Sequence, residues 1–363
     1  MDFTLDSAAA AVADVADEAF ARLTPEWPEK FADPVGGFDH DAWRAVVGAG
    51  LTALPLPEGL GGDEVGVHAL TPLVSRAGRA GAVTPLVGSL TSATLLAAAP
   101  EAAAVWAESL TDGRWHAVAL GEPGRALGEP CRVRLTGEAG GDRSLDGITT
   151  GVLHADGAAA LLVGTDSGAV IVAADTPGVR LVRTTSSSGW GEYTVTFESV
   201  RIPARDVLTD DARPLIDVYR ALLCSYADGL MAGAVAMTAE HVSTRTQFGK
   251  PIAGFQAVGQ QLADVFVIAR GEDLAVTAGA WRLSEGLDAA QDLAVATYWM
   301  AAELPATLRT MTHLHGGIGV DVTYPLHRYF SIAKDLARLA GGAEATLDVL
   351  AGIAAGDLVE EAI

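Results

Sequence analysis

Apolar and polar positions follow two different rhythms along this chain. From residue 1 to about 112, alanine- and leucine-rich segments repeat at helical spacing, broken at Pro25, Pro28, Pro34 and the Gly36-Gly37 pair and resumed by Asp41-Ala-Trp-Arg-Ala-Val-Val47. A loop, Leu54-Pro-Leu-Pro-Glu-Gly-Leu-Gly-Gly62, comes next, and helical periodicity returns from about Val65 to Gly78 and from Leu86 to Ala98. Around Asp112-Gly113 the rhythm changes to short alternating runs: Arg132 to Thr136, Ala169 to Val172, Val179 to Val182 and Tyr193 to Phe197. Alternation with period two at regular spacing predicts antiparallel strands. Helix returns after Pro214, with segments predicted over 214–247, 288–312 and 326–339 and connections at Gly249, Gly286 and Gly316-Gly317. Between the first two, Phe255, Val258, Leu262, Val265, Phe266 and Ala269 share one helical face. The pattern predicts an α+β chain with a helical domain over 1–112, an antiparallel β domain over 113–208 and a bundle of long helices over 209–363.

Composition narrows the class. The chain has 363 residues, 50% apolar and 19% charged, which predicts folded units rather than wholesale disorder. No apolar run approaches the roughly 18 residues of a membrane span, and Met-Asp-Phe-Thr-Leu-Asp at the start lacks the basic region of a secretory signal, so the cytoplasm is the expected compartment. Cys131 and Cys224 stand far apart without metal-like spacing, which predicts two buried thiols and no metal site. A net charge of −22 disfavours nucleic acid or an anionic membrane as a partner. An anionic cofactor would need local basic groups: Arg245 with Lys250 make one such place, and Arg328, Lys334 and Arg338 another. Asp211, Asp217 and Asp228 read as a solvated face, and Glu360-Glu361 as a frayed end.

Two dense motifs carry candidate chemistry. Arg245-Thr-Gln-Phe-Gly-Lys-Pro-Ile-Ala-Gly-Phe-Gln256 puts a guanidinium, an aromatic ring, a turn and an amide within one short stretch. Those groups suit a phosphate-and-purine ligand, because a guanidinium can grip a pyrophosphate bidentately and an amide both donates and accepts. The same stretch also reads as a helix-ending turn with a surface arginine. The second motif, His313-Leu-His-Gly-Gly-Ile-Gly319, removes two Cβ atoms at Gly316 and Gly317, so backbone amides can approach a phosphate or ribose.

Together these motifs resemble the acyl-CoA dehydrogenase family over nearly the whole chain. Leu54 to Gly62 resembles the family's N-terminal Pro-Glu-x-x-Gly-Gly loop, and Gly121-Glu-Pro123 its Thr-Glu-Pro segment. The resemblance implies an N-terminal helical domain, a middle β domain and a C-terminal four-helix bundle that packs as a dimer of dimers. It also implies that the C-terminal motifs hold the ADP part of an FAD whose ring sits in a neighbouring subunit. Arg245 would contact the pyrophosphate, Phe248 would pack on the cofactor, and Gln256 with the turn from His313 through Gly316 to Gly317 would meet the adenosine side. The family usually has Gln where this chain has His313.

The catalytic parts depart from the family pattern. The family oxidises Cα–Cβ with a glutamate base, whose alignment with the α-carbon is essential. One position for it falls here on Ala340 or Gly341, and the other, 26 residues before Arg245, on Tyr219, a phenol with a reference pKa of about 10. Neither is a competent base, so no catalytic residue is assigned. Glu344 is the nearest acid, and Glu344 and Asp335 both read as helix-surface charges. On the flavin side, Gly151 and Leu153 stand at the family's Trp and Thr positions, and Gly121 replaces the Thr before Glu122-Pro123. Loss on both sides implies that the chain's own flavin site has been abandoned. The pattern resembles the small subunit of heteromeric α2β2 acyl-CoA dehydrogenases of actinobacterial steroid side-chain catabolism, especially in Tyr226-Ala-Asp-Gly-Leu230, Asp288-Ala-Ala-Gln-Asp292 and Asp321-Val-Thr-Tyr-Pro-Leu-His-Arg-Tyr329. That resemblance implies a catalytic partner subunit supplying the glutamate and most of the acyl-CoA pocket, with a steroid CoA thioester as substrate, as in cholesterol catabolism. A homomeric dehydrogenase using Glu344 or Tyr219, and a cofactor-free structural subunit, are the alternatives.

Overall fold

The computed structural model describes residues 7–21 and 37–360. The helix breaks expected at Pro25, Pro28, Pro34 and Gly36, and the end of the acidic tail at Glu361, lie outside the described residues.

Among the described residues, five α-helices come first: α1 (Ser7–Ala21), α2 (His40–Gly48), α3 (Val67–Arg79), α4 (Leu86–Ala97) and α5 (Pro100–Thr111). Asp39 caps α2, its carboxylate accepting from the amides of Asp41 at 3.0 Å and Ala42 at 3.1 Å. Eight strands follow: β1 (His116–Ala119), β2 (Arg134–Thr136), β3 (Arg143–Leu153), β4 (Ala160–Thr165), β5 (Gly168–Ala173), β6 (Val179–Thr184), β7 (Glu192–Ile202) and β8 (Val207–Thr209). They form two four-stranded sheets, in the orders β1-β4-β5-β8 and β2-β3-β7-β6. Leu161, Val163, Val170 and Val172 of the first pack with Leu145, Val195 and Phe197 of the second.

The sandwich corrects one expectation: β1 runs parallel to β4, so the sheet is mixed rather than wholly antiparallel. β1 and β4 were also invisible to alternation. Every residue of both is buried, because Ala160 and Leu162 face the helical core while Leu161 and Val163 face the sandwich. β6 has one wet face and reads plainly as a strand.

The second helical region contains α6 (Arg213–Thr244), the two-residue strands β9 (Thr246–Gln247) and β10 (Lys250–Pro251), then α7 (Gln256–Ser284), α8 (Ala290–His315), α9 (Pro325–Leu339) and α10 (Ala343–Glu360). Sequence periodicity missed α10. Contrary to expectation, α6 has an 18-residue window apolar enough for a membrane span, with mean hydropathy 1.3. Seventy-two per cent of that window is buried within the protein, so its apolarity serves the core. The crossing of α3 and α6 explains Gly229: a Cβ there would lie 1.9 Å from the Ser75 carbonyl oxygen, so only glycine permits this backbone approach.

Several side chains sit differently from expectation. On α7, Val265 is buried and Val258, Leu262 and Ala269, with Phe255 just before the helix, are half-buried, but Phe266 is 64% exposed. Asp211 is exposed, whereas Asp217 is buried beside Arg220 and Asp228 is half-buried near Ser75. Asp335 is 1% exposed, not a surface charge. Cys224 is buried, but Cys131 is only half-buried. Arg328, Lys334 and Arg338 do not form an open basic patch. Arg328 is buried, Lys334 lies 5.2 Å from the centroid of the Phe330 ring, and Arg338 is engaged by carboxylates.

Candidate functional site

The two sequence motifs meet at one end of the bundle. Thr238, His241 and Arg245 lie three or four residues apart along the last turns of α6, which places them on one face. Against that face lies His315, the last residue of α8. The His241 and His315 rings stack at 4.2 Å with 18° between planes, and Tyr324 closes the other side at 5.3 Å. Thr238 donates its hydroxyl to the Ala234 carbonyl at 2.7 Å. Its oxygen can then only accept from His315 Nε2 at 3.2 Å, which fixes the proton on Nε2 and leaves Nδ1 without a hydrogen-bond partner among the described residues. Burial and the neighbouring His241 pull the His315 pKa down to about 4, so the stack is neutral at physiological pH. His241, His315 and Tyr324 were not singled out by sequence reasoning. The signal was present, since His315 belongs to the His-Gly-Gly run and Tyr324 to the Tyr-Pro run.

From this neutral platform the expected residues project. Arg245 ends α6, its amide donating to the His241 carbonyl at 2.9 Å while its side chain is exposed. No carboxylate pairs with it among the described residues. β9 and β10 then form a tight hairpin whose tip residues, Phe248 (φ +52°) and Gly249 (φ +80°), are both left-handed. Phe248 is 92% exposed and makes an edge contact with Phe255 at 6.2 Å between ring centroids. A large side chain held at positive φ and offered to solvent stores strain at an accessible point. Lys250 is spent locally, over the Phe255 ring at 4.3 Å and on the Gly254 carbonyl at 2.9 Å, and does not join Arg245. Gln256 opens α7 and is exposed. His313 is also exposed, one turn before Gly316, whose φ of +67° and ψ of −142° only glycine adopts readily. Open space surrounds the Cβ directions of both Gly316 and Gly317. An exposed guanidinium, an exposed imidazole and two glycines with open space beside them suit the approach of a pyrophosphate and a purine nucleoside.

The positions that the resemblance aligns with the family's base lie elsewhere, Ala340 and Gly341 just after α9 and Tyr219 within α6. Ala340 is completely buried and its carbonyl accepts from the Leu127 amide at 3.0 Å. Gly341 has φ +100°, and a Cβ there would lie 2.7 Å from Ala126 Cα, so no longer side chain fits. Tyr219 is buried beside a cavity of about 30 Å³, lined also by Val83, Pro85, Trp190, Leu223 and Tyr226. That volume holds a water, not an acyl chain. Burial, with the charge of Glu192, pushes the Tyr219 phenol far above its ordinary pKa. Glu344 is exposed at the start of α10.

Protein atoms stand close against both glycines that the resemblance aligns with the family's flavin-side residues. A Cβ at Gly121 would lie 2.4 Å from the Thr150 carbonyl oxygen, and one at Gly151 would lie 2.5 Å from Leu339 Cδ2. Backbone blocks the first, and the tip of Leu339 occupies the volume of the second. An acid not foreseen from the sequence, Glu192, lies here. It is 3% exposed and holds Thr184 Oγ1 at 3.0 Å and the Arg338 guanidinium, with Nη1 at 3.0 Å.

Comparison with known proteins decides the family. A family profile described as "Acyl-CoA dehydrogenase, C-terminal domain" matches residues 211–354. The acyl-CoA dehydrogenase FadE28 of Mycobacterium tuberculosis is 41% identical over 313 residues, 85% of this chain and 91% of that protein. The chain belongs to the acyl-CoA dehydrogenase family. Its relatives of known structure include the ChsE4-ChsE5 complex from Mycobacterium tuberculosis, with TM-score 0.87 and 32% identity over 98% of this chain and 99% of that one. A point variant of the Tcur3481-Tcur3483 steroid ACAD is similar, with TM-score 0.86 and 32% identity over 98% of both chains. Acyl-CoA dehydrogenases are FAD-dependent oxidoreductases acting on CH–CH donors, so this family supplies a reason for a pyrophosphate-binding end and expects a base. The order of helices, β region and helices is the family's fold.

Proposed function

We propose that this chain is the non-catalytic subunit of a heteromeric acyl-CoA dehydrogenase, holding the ADP end of an FAD whose ring lies in a catalytic partner. The observation that carries this reading is the contrast within one chain. Ala340 and Tyr219 are buried, and a Cβ at Gly341 would meet Ala126, while Arg245, Phe248, Gln256, His313, Gly316 and Gly317 are all exposed.

Within the assembly, Arg245 binds and orients the pyrophosphate, Phe248 covers the cofactor, and Gln256 with the His313-to-Gly317 turn meets the adenosine. The bound flavin supplies hydride acceptance. The α-proton is removed by a glutamate of the partner, which also provides most of the acyl-CoA pocket. Exposed apolar side chains support a covering chain: Phe266, Val267 and Leu274 on α7, and Val320 and Val322 beyond the glycine turn. Two structural relatives named as paired proteins, one of them a steroid enzyme, support an α2β2 assembly acting on a steroid side-chain CoA thioester in the cytoplasm.

The test is to purify the chain alone and co-expressed with its partner, then measure flavin absorbance and steroid acyl-CoA oxidation. The lone chain is expected to be colourless and inactive and the complex yellow and active. Replacing Arg245 with Ala removes a charge-assisted bidentate contact worth about 1.5–3 kcal/mol, weakening FAD retention in the complex roughly 10- to 150-fold. Stoichiometric flavin and turnover in the lone chain overturn the reading, and unchanged FAD affinity in the Arg245 variant favours a cofactor-free structural subunit.

A further inference from the structure

Gly151 stands where the resemblance places the family's flavin-side Trp, and the side chain of Leu339 fills the space in front of it. We propose that a clasp built on α9 substitutes for the flavin as the wedge between sandwich and bundle; this rests on the reading that the subunit carries no flavin of its own.

Asp335, Arg338 and Leu339 fall at i, i+3 and i+4, one face of α9. Each grips a different piece of the β region. Asp335 Oδ1 accepts from the Ser187 amide at 2.8 Å, and its Oδ2 accepts from the Ser188 amide at 2.8 Å and the Ser188 hydroxyl at 2.7 Å. One carboxylate therefore holds two successive amides and a hydroxyl of the loop before β7. Arg338 lies 3.5 Å from the same carboxylate and reaches Glu192 with both terminal nitrogens. Glu192 is fixed in turn by Thr184, so its two oxygens are satisfied although it is almost wholly buried. Leu339 reaches to the other side, its Cδ2 filling the space in front of Gly151. The Leu127 amide, bonded to the Ala340 carbonyl at 3.0 Å, completes the fastening at the end of the helix.

The arrangement has a physical logic. A gap left by a lost ring would cost packing and leave the surrounding polar groups without partners. Filling it with a paired acid and base gives directional contacts that set the two layers in register, and a half-exposed Arg338 limits the desolvation cost. A buried Glu192 is acceptable only because Arg338 is there; the clasp is a coupled unit, not a sum of independent contacts. It also keeps the ring space shut, so that the exposed ADP-binding end is held on a rigid bundle.

The test compares Arg338→Met, Glu192→Gln and the double variant, each as the lone chain and in the co-expressed complex. Amide hydrogen exchange over 185–192 is read by mass spectrometry, and melting temperature by calorimetry. In the lone chain, Arg338→Met is expected to speed exchange of that segment about tenfold or more and to lower Tm by roughly 3–8 °C. The double variant is expected to be more stable than additivity predicts, because Glu192→Gln removes the charge that Arg338→Met orphans. Arg338→Lys, which keeps the charge but not the bidentate fork, restores part of the protection and serves if Arg338→Met does not fold. FAD content of the complex stays unchanged in every variant. Unchanged exchange, or additive losses across the cycle, overturns the clasp. Ring uptake by the wild-type lone chain is the separate result that overturns the subunit reading on which it rests.

Discussion

Replacing Phe248 with Gly separates a role in binding from a role in folding. In the lone chain the change should cost almost nothing. Phe248 sits at φ +52°, a conformation that costs a residue with a Cβ about 1–2 kcal/mol and glycine little. Against that relief stand the extra backbone entropy of glycine, about 0.5–1 kcal/mol, and loss of the edge contact with Phe255, about 0.5–1 kcal/mol at such an exposed site. These terms cancel to within about 1 kcal/mol. The complex is different, because a ring now 92% exposed would be covered by the cofactor and the partner. Burying a phenylalanine contributes about 1.5–3 kcal/mol, so the complex should bind FAD roughly 10- to 150-fold more weakly. The assay pairs a urea midpoint on the lone chain with an FAD dissociation constant for the complex, measured by flavin fluorescence. Equal FAD affinity in wild type and variant would refute the role of Phe248. So would a loss in lone-chain stability as large as the loss in affinity, since the ring would then be a folding contact.

Two further outcomes follow from buried acids. Glu272 is completely buried in α7 and neither carboxyl oxygen has a hydrogen-bond partner among the described residues; burial, with Asp228 nearby, raises its pKa well above 4.5. The folded chain therefore holds a proton that the unfolded chain releases once the pH passes about 4.5, and stability falls as pH rises above that value. Glu272→Gln escapes this, so it should be more stable than wild type at pH 8 by at least about 1 kcal/mol, the worth of one pKa unit, and no more stable near pH 4; urea titrations at the two pH values check it. Ala340→Glu restores a carboxyl at a base position but should give no acyl-CoA oxidation in the lone chain, and should cost about 3 kcal/mol or more through burial of an unpartnered acid. Turnover by that variant alone would show that the ring space is open after all.

The parts of the fold that sequence reveals are those with one wet face. β6 alternates because its outer residues meet solvent, and α3 carries a plain apolar stripe. β1 and β4 are buried on both faces and lose the signal, and their parallel pairing depends on a return of the chain that no local pattern encodes. Charged side chains misled for a similar reason. Asp335 reads as a surface acid and Glu192 draws no notice because the groups that hold them, Ser187 with Ser188 and Arg338, are 146 to 148 residues away in sequence. The exposed end of the bundle was more legible: Arg245, Phe248, Gln256 and the glycine turn are close in sequence within two motifs, and the fold has only to bring the motifs together. What sequence could not supply is the means, the neutral His241–His315 stack that joins the end of α6 to the end of α8.

Charge gives that stack its importance. With a net charge of −22, the chain repels a free dinucleotide at any distance its field reaches, about 8 Å at physiological ionic strength. Arg245 can reverse that repulsion only at contact range, and only if no carboxylate of its own chain neutralises it first. No carboxylate among the described residues pairs with Arg245, and the stack beneath it leaves it undisturbed. The stack is uncharged at neutral pH, since burial holds His315 near a pKa of about 4, so it neither competes with Arg245 for an anion nor adds like charge beneath it. It also ties the arginine's helix to the glycine turn, so guanidinium and amides meet the cofactor as one preformed surface. On the proposed reading, an acidic subunit built this way would be poor at capturing free FAD and well suited to closing over one already lodged in another chain.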